Sequence, residues 1–193
     1  MVLKLYTAPT VEPVLGDELG SHLRVGEDPM LSGYLKAARQ YVESLCGPLI
    51  TQTWLQYEDE WPNGDVLKIG KPRLQSVTSI TYLDEDAVSS TLSATYYTVQ
   101  TASEFAPTVV LKPDQSWPGD ALYNSNPITI TFVCGYGANA TYVPEPIRLA
   151  IMILVGTWYE HREAVVVSPG ASMAAAIIPY SVDALLADYR VWP

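Results

Sequence analysis

The feature that most constrains this chain is that its apolar residues change their spacing twice. Up to residue 49 they recur every three or four positions, from 50 to 137 they alternate over short runs, and from 144 onward the helical spacing returns. A period of 3.6 residues predicts helix, and a period of two predicts strand. We therefore expect an α+β fold with a helical core of about four helices and an antiparallel β-sheet inserted between the second and third helices.

The second helix has the clearest start and stop signals. Asp28 is placed to cap its first turn, Pro29 suits its first position, and Gly47 ends it. Its apolar residues share one face, and Arg39 falls on the polar side. A first helix is predicted over residues 14–24, where a leucine recurs at every fourth position.

The helical spacing near the C-terminus predicts two further helices. Residues 147–159 are apolar on most sides, which indicates a helix that is buried in the core, at a subunit interface, or at both. Residues 181–190 predict a short last helix. Between these helices, residues 165–178 are rich in glycine, alanine and serine, and we expect an apolar loop there.

The middle of the chain predicts short antiparallel strands. Runs of β-branched and aromatic residues are separated by Pro, Gly, Asn and Asp. These residues indicate that the strands are connected by tight turns and not by the helices of βαβ units. The predicted strands cover residues 51–57, 77–83, 96–99, 108–111 and 127–134. We expect one domain over residues 1–193, with helical parts at 1–49 and 144–193 and a β insertion at 50–137.

The formal net charge of −10 argues against a protein that grips nucleic acid. Such a protein carries a basic surface that neutralises phosphates, whereas an acidic wall repels DNA and lets it pass. The most apolar stretch, residues 147–159, is shorter than the roughly 20 residues that cross a bilayer. No signal-peptide pattern occurs near the N-terminus, so we expect no membrane association.

Residues that commonly carry catalysis are few and poorly spaced for it. His22 and His161 lack the spacing of a zinc or hydrolase motif, and Cys46 and Cys134 lack the C-x-x-C spacing of a zinc site. We therefore expect no catalytic residue, no metal site and no cofactor.

Two other functions stay open at this point. Five tryptophans and thirteen tyrosines would suit a carbohydrate- or cell-surface-binding module if enough of their rings were exposed. A small hydrolase would need a pair of carboxylates such as Asp84 and Asp86, but acidic runs of this kind are typical of turns.

Several segments, taken in order and spacing, resemble one family of phage proteins. They include AARQYVE at 37–43, GPLITQTW at 47–54, PRLQSVTSITYLD at 72–84, ITFVCGYG at 130–137 and WYEHREA at 158–164. The chain resembles the head–tail connector, or adaptor, proteins of tailed bacteriophages and gene-transfer particles. Within that family it is most similar to the phiE125 gp8-like branch, which is related to the gp6-like connectors.

The resemblance implies a structural protein and not an enzyme. Such subunits form homo-oligomeric rings, commonly twelvefold, that dock on the portal protein, extend the DNA channel and support the next connector, stopper or tail component. DNA would pass through the ring without specific binding. The protein would be assembled in the bacterial host cytoplasm and would lie in the virion, at the head–tail interface.

Candidate assembly residues follow from the predicted helices and from the resemblance. The candidates for subunit packing lie on the second and third helices and are Tyr34, Tyr41, Ile151, Leu154 and Trp158. The candidates for docking on the portal lie at the C-terminal end and are Tyr189, Arg190, Val191 and Trp192.

Overall fold

The chain alternates between two compact units. The computed structural model describes residues 1–26, 28–161, 165–166, 174–175 and 180–191. One unit, which we call the β unit, comprises Met1–Thr10 and Thr51–Tyr136. The other, which we call the helical unit, comprises Val11–Ile50 and Gly137–Pro193. Each unit is therefore built from two separate pieces of chain.

The β unit contains two antiparallel sheets. Its strands are β1 (Val2–Thr7), β2 (Gln52–Glu58), β3 (Val66–Lys68), β4 (Leu74–Leu83), β5 (Ser89–Thr91), β6 (Tyr97–Gln100), β7 (Thr108–Leu111) and β8 (Ile128–Cys134). A five-stranded sheet has the order β1-β2-β8-β4-β5, and a three-stranded sheet has the order β3-β7-β6. Neighbouring strands are antiparallel throughout both sheets.

The strand β8 lies at the centre of the five-stranded sheet, and its residues alternate in burial. Ile128, Ile130, Phe132 and Cys134 are fully buried, whereas the residues between them are half-buried. Successive side chains of a strand point to opposite faces, so one face of β8 forms the core of the β unit.

The helical unit contains four helices in the part of the chain that the structure describes. They are α1 (Gly16–Leu23), α2 (Pro29–Cys46), α3 (Glu145–Glu160) and α4 (Tyr180–Leu186). The helix α3 packs against both α2 and α4. A short antiparallel pair, β9 (Val165–Val166) and β10 (Ala174–Ala175), lies between α3 and α4 in chain order.

Arg39 of α2 is buried, although its position on the helix predicts a polar, exposed face. The residue is only 8% exposed, and two carboxylates neutralise its charge. Its Nε donates to Oε2 of Glu12 at 2.8 Å, and a terminal nitrogen donates to Oε2 of Glu43 at 2.7 Å. The other oxygen of Glu43 accepts from the backbone N–H of Leu49 at 3.1 Å, so the network also holds the chain that leaves α2.

Arg148 of α3 holds the same N-terminal segment from a second helix. Its Nε donates to the backbone carbonyl of Pro13 at 3.1 Å, and its terminal nitrogens pair with Glu18 and Glu145. Residues 12–18 are thus bound by one arginine from α2 and one from α3. The two chain pieces of the helical unit are joined by these polar contacts as well as by apolar packing.

The predicted α+β class is confirmed. Both helices and antiparallel sheets are present, and seven strands lie between α2 and α3 in chain order. The predicted strands correspond to β2, β4, β6, β7 and β8. The predicted loop at 165–178 contains β9 and β10, and its other residues lie outside those described.

Residues 2–7, expected within the helical part, instead form the edge strand β1. Its partner is β2, about fifty residues further along the chain, with Leu3 opposite Gln56. A pairing this distant leaves no local periodic signal, which explains the incorrect assignment. The strands β3 and β5 are three residues long and were also not predicted, because three residues carry too little alternation.

Replacing Arg39 with methionine should lower the free energy of unfolding of the helical unit by about 3 kcal/mol. Glu12 and Glu43 would remain as largely buried charges without their cation, which costs more than the ion pairs contribute when intact. Urea unfolding followed by helical circular dichroism measures this loss. The control Lys36→Met, at an exposed position of α2, should change stability by less than about 0.5 kcal/mol. Similar small effects of both substitutions would contradict the role given to Arg39.

Burial makes the β unit sensitive to alkaline pH through Tyr97. This residue is buried, and desolvation raises the pKa of its hydroxyl above its ordinary value of 10.0. The folded form therefore keeps a proton that the unfolded chain loses first, so stability is complete below pH 10.0 and falls as pH rises through the folded pKa. Tyr97→Phe should reduce this alkaline loss, as measured by urea unfolding across pH. An identical pH dependence in both proteins would contradict the prediction.

Candidate assembly surfaces

Aromatic side chains pair across α2 and α3. Tyr34 and Tyr159 meet edge to face with ring centroids 6.4 Å apart, and Tyr41 and Trp158 do the same at 6.5 Å. All four rings are half-buried. Edge-to-face pairs of this kind stabilise the helix packing and leave part of each ring uncovered.

The five subunit-packing candidates therefore divide into two groups. Ile151 and Leu154 are fully buried within the chain, so they belong to the core of the helical unit and offer no surface to another subunit in this conformation. Tyr34, Tyr41 and Trp158 keep accessible surface. The helical period identifies the apolar side of α3. It does not distinguish the residues buried inside the subunit from those that stay accessible to another subunit.

The start of α2 is linked to the end of α3 by Asp28. Its Oδ1 accepts from the backbone N–H of Met30 at 2.8 Å, which confirms the predicted cap. Its Oδ2 accepts from the hydroxyl of Tyr159 at 2.9 Å. One carboxylate thus caps the start of α2 and orients the aromatic ring that packs on Tyr34.

The C-terminal candidates lie beside the end of α2. The backbone N–H of Val191 donates to the carbonyl of Leu45 at 3.0 Å, and a terminal nitrogen of Arg190 donates to Asp183 at 2.7 Å. Tyr189, Arg190 and Val191 are half-buried. Trp192 lies outside the described residues.

A cleft of about 1070 Å³ lies between α1, its flanking segments and the first half of α2. Leu15, Leu19 and Leu35 are among its lining residues. Leu15 is 60% exposed, although its four-residue spacing with Leu19 predicts a shared buried face. The helix begins only at Gly16, and Leu15 stands in extended conformation at its cap, so the helical phase does not apply to it. The leucine spacing therefore predicts a closed apolar face here, and it gives no sign of the cleft.

The chemistry-bearing residues lie apart from these surfaces. His22 and His161 are exposed, and no cluster of three or more His, Cys, Asp or Glu side chains suited to a metal occurs among the described residues. In the turn between β4 and β5, Oδ1 of Asp84 accepts from the backbone N–H groups of Asp86 and Val88. Such bonds are typical of a carboxylate that shapes a turn. In the described part of the chain, no helix is both long and apolar enough to span a membrane.

Two tryptophans of the β unit cover one another. The rings of Trp61 and Trp117 stack at 5.0 Å with an angle of 8°, and Tyr82 meets Trp61 edge on. Each indole thereby has one face occupied. A sugar-binding platform needs open ring faces, so this arrangement favours a packing role for the pair.

Substituting Asp28 should separate its two roles. Asp28→Ala removes the cap and the bond to Tyr159, and should lower the free energy of unfolding by about 2 kcal/mol. Tyr159→Phe removes only the second contact, at a cost of about 1 kcal/mol. Asp28→Asn, which keeps an oxygen for the cap, should cost less than alanine. Urea unfolding of the three variants tests this order, and an equal loss for Asp28→Ala and Asp28→Asn would contradict it.

No family model matches this sequence, and no curated protein matches it. Solved structures do share its fold. One similar chain comes from the neck of an empty gene transfer agent (GTA) particle computed with C6 symmetry, with 22% identity and a TM-score of 0.79. Another comes from the neck of a native GTA particle computed with C12 symmetry, with 24% identity and a TM-score of 0.78.

A third similar chain comes from the virion of a native GTA particle, with 22% identity and a TM-score of 0.76. Each of the three alignments covers 100% of this chain and 97% of the other. This chain therefore has, over its whole length, the fold of chains found in these particles.

Proposed function

We propose that this chain is a head–tail adaptor subunit of the phiE125 gp8-like kind, acting by assembly and not by catalysis. The observation that supports this most strongly is the similarity of the whole chain to chains from GTA particle necks. The alignments cover 100% of this chain and 97% of the similar chains, so both units of the chain take part in the match.

The assembled form in this proposal is a homo-oligomeric ring, twelvefold by analogy with the neck computed with C12 symmetry. Each copy in a ring meets its two neighbours through different surfaces. The helical unit offers accessible apolar surface for such contacts, at Tyr34, Tyr41 and Trp158 and in the cleft beside α1.

The ring would dock on the portal protein and support the downstream stopper or tail protein. The proposed docking residues are Tyr189, Arg190 and Val191, together with Trp192. The ring would also extend the DNA channel, and a net charge of −10 suits a wall that DNA passes without specific binding. The two units would act as one adaptor domain over residues 1–193, in the virion at the head–tail interface, after assembly in the bacterial host cytoplasm.

Negative-stain electron microscopy combined with light scattering tests this proposal. The purified chain is measured alone and mixed with the portal protein of the same particle, and an unrelated acidic protein of similar size serves as the control. We expect rings of this chain on the portal and none with the control protein. A chain that stays monomeric and unbound in every mixture, or that instead shows saturable sugar binding as a monomer, would overturn the proposal.

A further inference from the structure

The strand β1 is an exposed, apolar edge of the five-stranded sheet. One side of its backbone pairs with β2, and no strand of the described chain lies on its other side. Val2 is 56% exposed, Leu5 42% and Tyr6 67%. A six-residue open edge with such side chains invites pairing with another strand, and stable soluble proteins usually cover or charge it.

At the opposite edge of the same sheet, too, no strand of the described residues lies on the outer side. This edge is formed by β5, whose three residues, Ser89–Thr91, are all exposed. Their side chains are small hydroxyls, which leave the backbone accessible to a second strand. One chain therefore carries two different open edges on opposite sides of one sheet. A ring contact requires two different surfaces of this kind, because each copy uses one surface for each neighbour.

The direction of the strands determines how two copies would pair. Three strands lie between the two edge strands, and antiparallel pairing at each of the four steps leaves β1 and β5 running in the same direction. In a ring, the small rotation that relates one copy to the next leaves the strands of both copies running in nearly the same direction. The junction between β5 of one copy and β1 of the next would therefore be parallel, with evenly spaced hydrogen bonds.

The charges near the two edges are complementary. Lys4 is the only charged side chain in residues 1–11, and it is exposed. The terminal ammonium of Met1 is paired with Glu58 at 3.2 Å. The turn that precedes β5 carries Asp84, Glu85 and Asp86, and no Lys, Arg or His occurs from residue 74 to 111. A parallel junction places the N-terminal ends of both strands together. The acidic turn before β5 then lies beside the N-terminal half of β1, which contains Lys4.

We infer that β1 of one copy pairs in parallel with β5 of a second copy of this chain, so that the five-stranded sheets join edge to edge around the ring. The inference rests on the proposed ring and adds the contact that closes it. Backbone hydrogen bonds supply the pairing, the apolar side chains of β1 become covered, and Lys4 facing Glu85 and Asp86 selects the orientation.

Charge reversal tests the contact. Lys4→Glu alone, or Glu85→Lys with Asp86→Lys, should weaken each contact about fivefold and reduce the yield of rings on the portal. Combining the three substitutions in one chain should restore the yield, because the opposite charges face one another again. The matched controls Lys68→Glu, at an exposed position of β3, and Asp120→Lys, at another exposed position, should leave the yield unchanged.

Cross-linking gives a readout that does not depend on charge. Val2→Cys combined with Ser89→Cys should join neighbouring copies into a ladder with a bismaleimide, while Val66→Cys with Ser89→Cys should not. The native Cys46 and Cys134 are buried. Rings without this ladder and without charge rescue would overturn the edge pairing and leave the adaptor proposal standing. A wild-type chain that forms no ring on the portal would overturn both.

Discussion

The helical unit depends on two largely buried arginines, whose ion pairs and hydrogen bonds fix the segment before α1. Arg39 of α2 and Arg148 of α3 bind residues 12–18 from two helices, through carboxylates and a backbone carbonyl. Those residues directly follow the β unit and lead into α1, so their position determines where the first helix lies. A charge removed from water is stable only when it is paired. The carboxylates must therefore lie at hydrogen-bonding distance from the arginines. Residues of this segment also line the cleft beside α1.

In the proposed function, the features that matter are surfaces for assembly. The helical unit leaves aromatic rings on α2 and α3 partly uncovered, and within the described part of the chain no strand covers either edge of the main sheet of the β unit. A monomer gains nothing from such surfaces and risks aggregation through them. Repeated subunits can satisfy them by contact with one another. This is the physical argument for assembly, and it is independent of the similarity to neck chains.

Sequence reasoning succeeded where the signal was local. The helix α2 has its cap and stop residues next to its apolar face, and β8 alternates over its full length. It failed where a distant partner decides the outcome: β1 becomes a strand because β2 pairs with it, and Arg39 is buried because Glu12, on another segment, neutralises it. The candidate site was partly predictable for the same reason. Periodicity identified the apolar side of α3, but only packing showed that Ile151 and Leu154 are core while Trp158 keeps exposed surface.

In the proposed assembly, many copies of this chain surround the DNA path at the neck of a particle. A cryo-electron microscopy reconstruction of that neck, computed without imposed symmetry, tests it most directly. We expect a closed ring of this chain between portal and tail, with β1 of each copy beside β5 of its neighbour. A particle in which the chain is absent from the neck, or present there as a single copy, would contradict it.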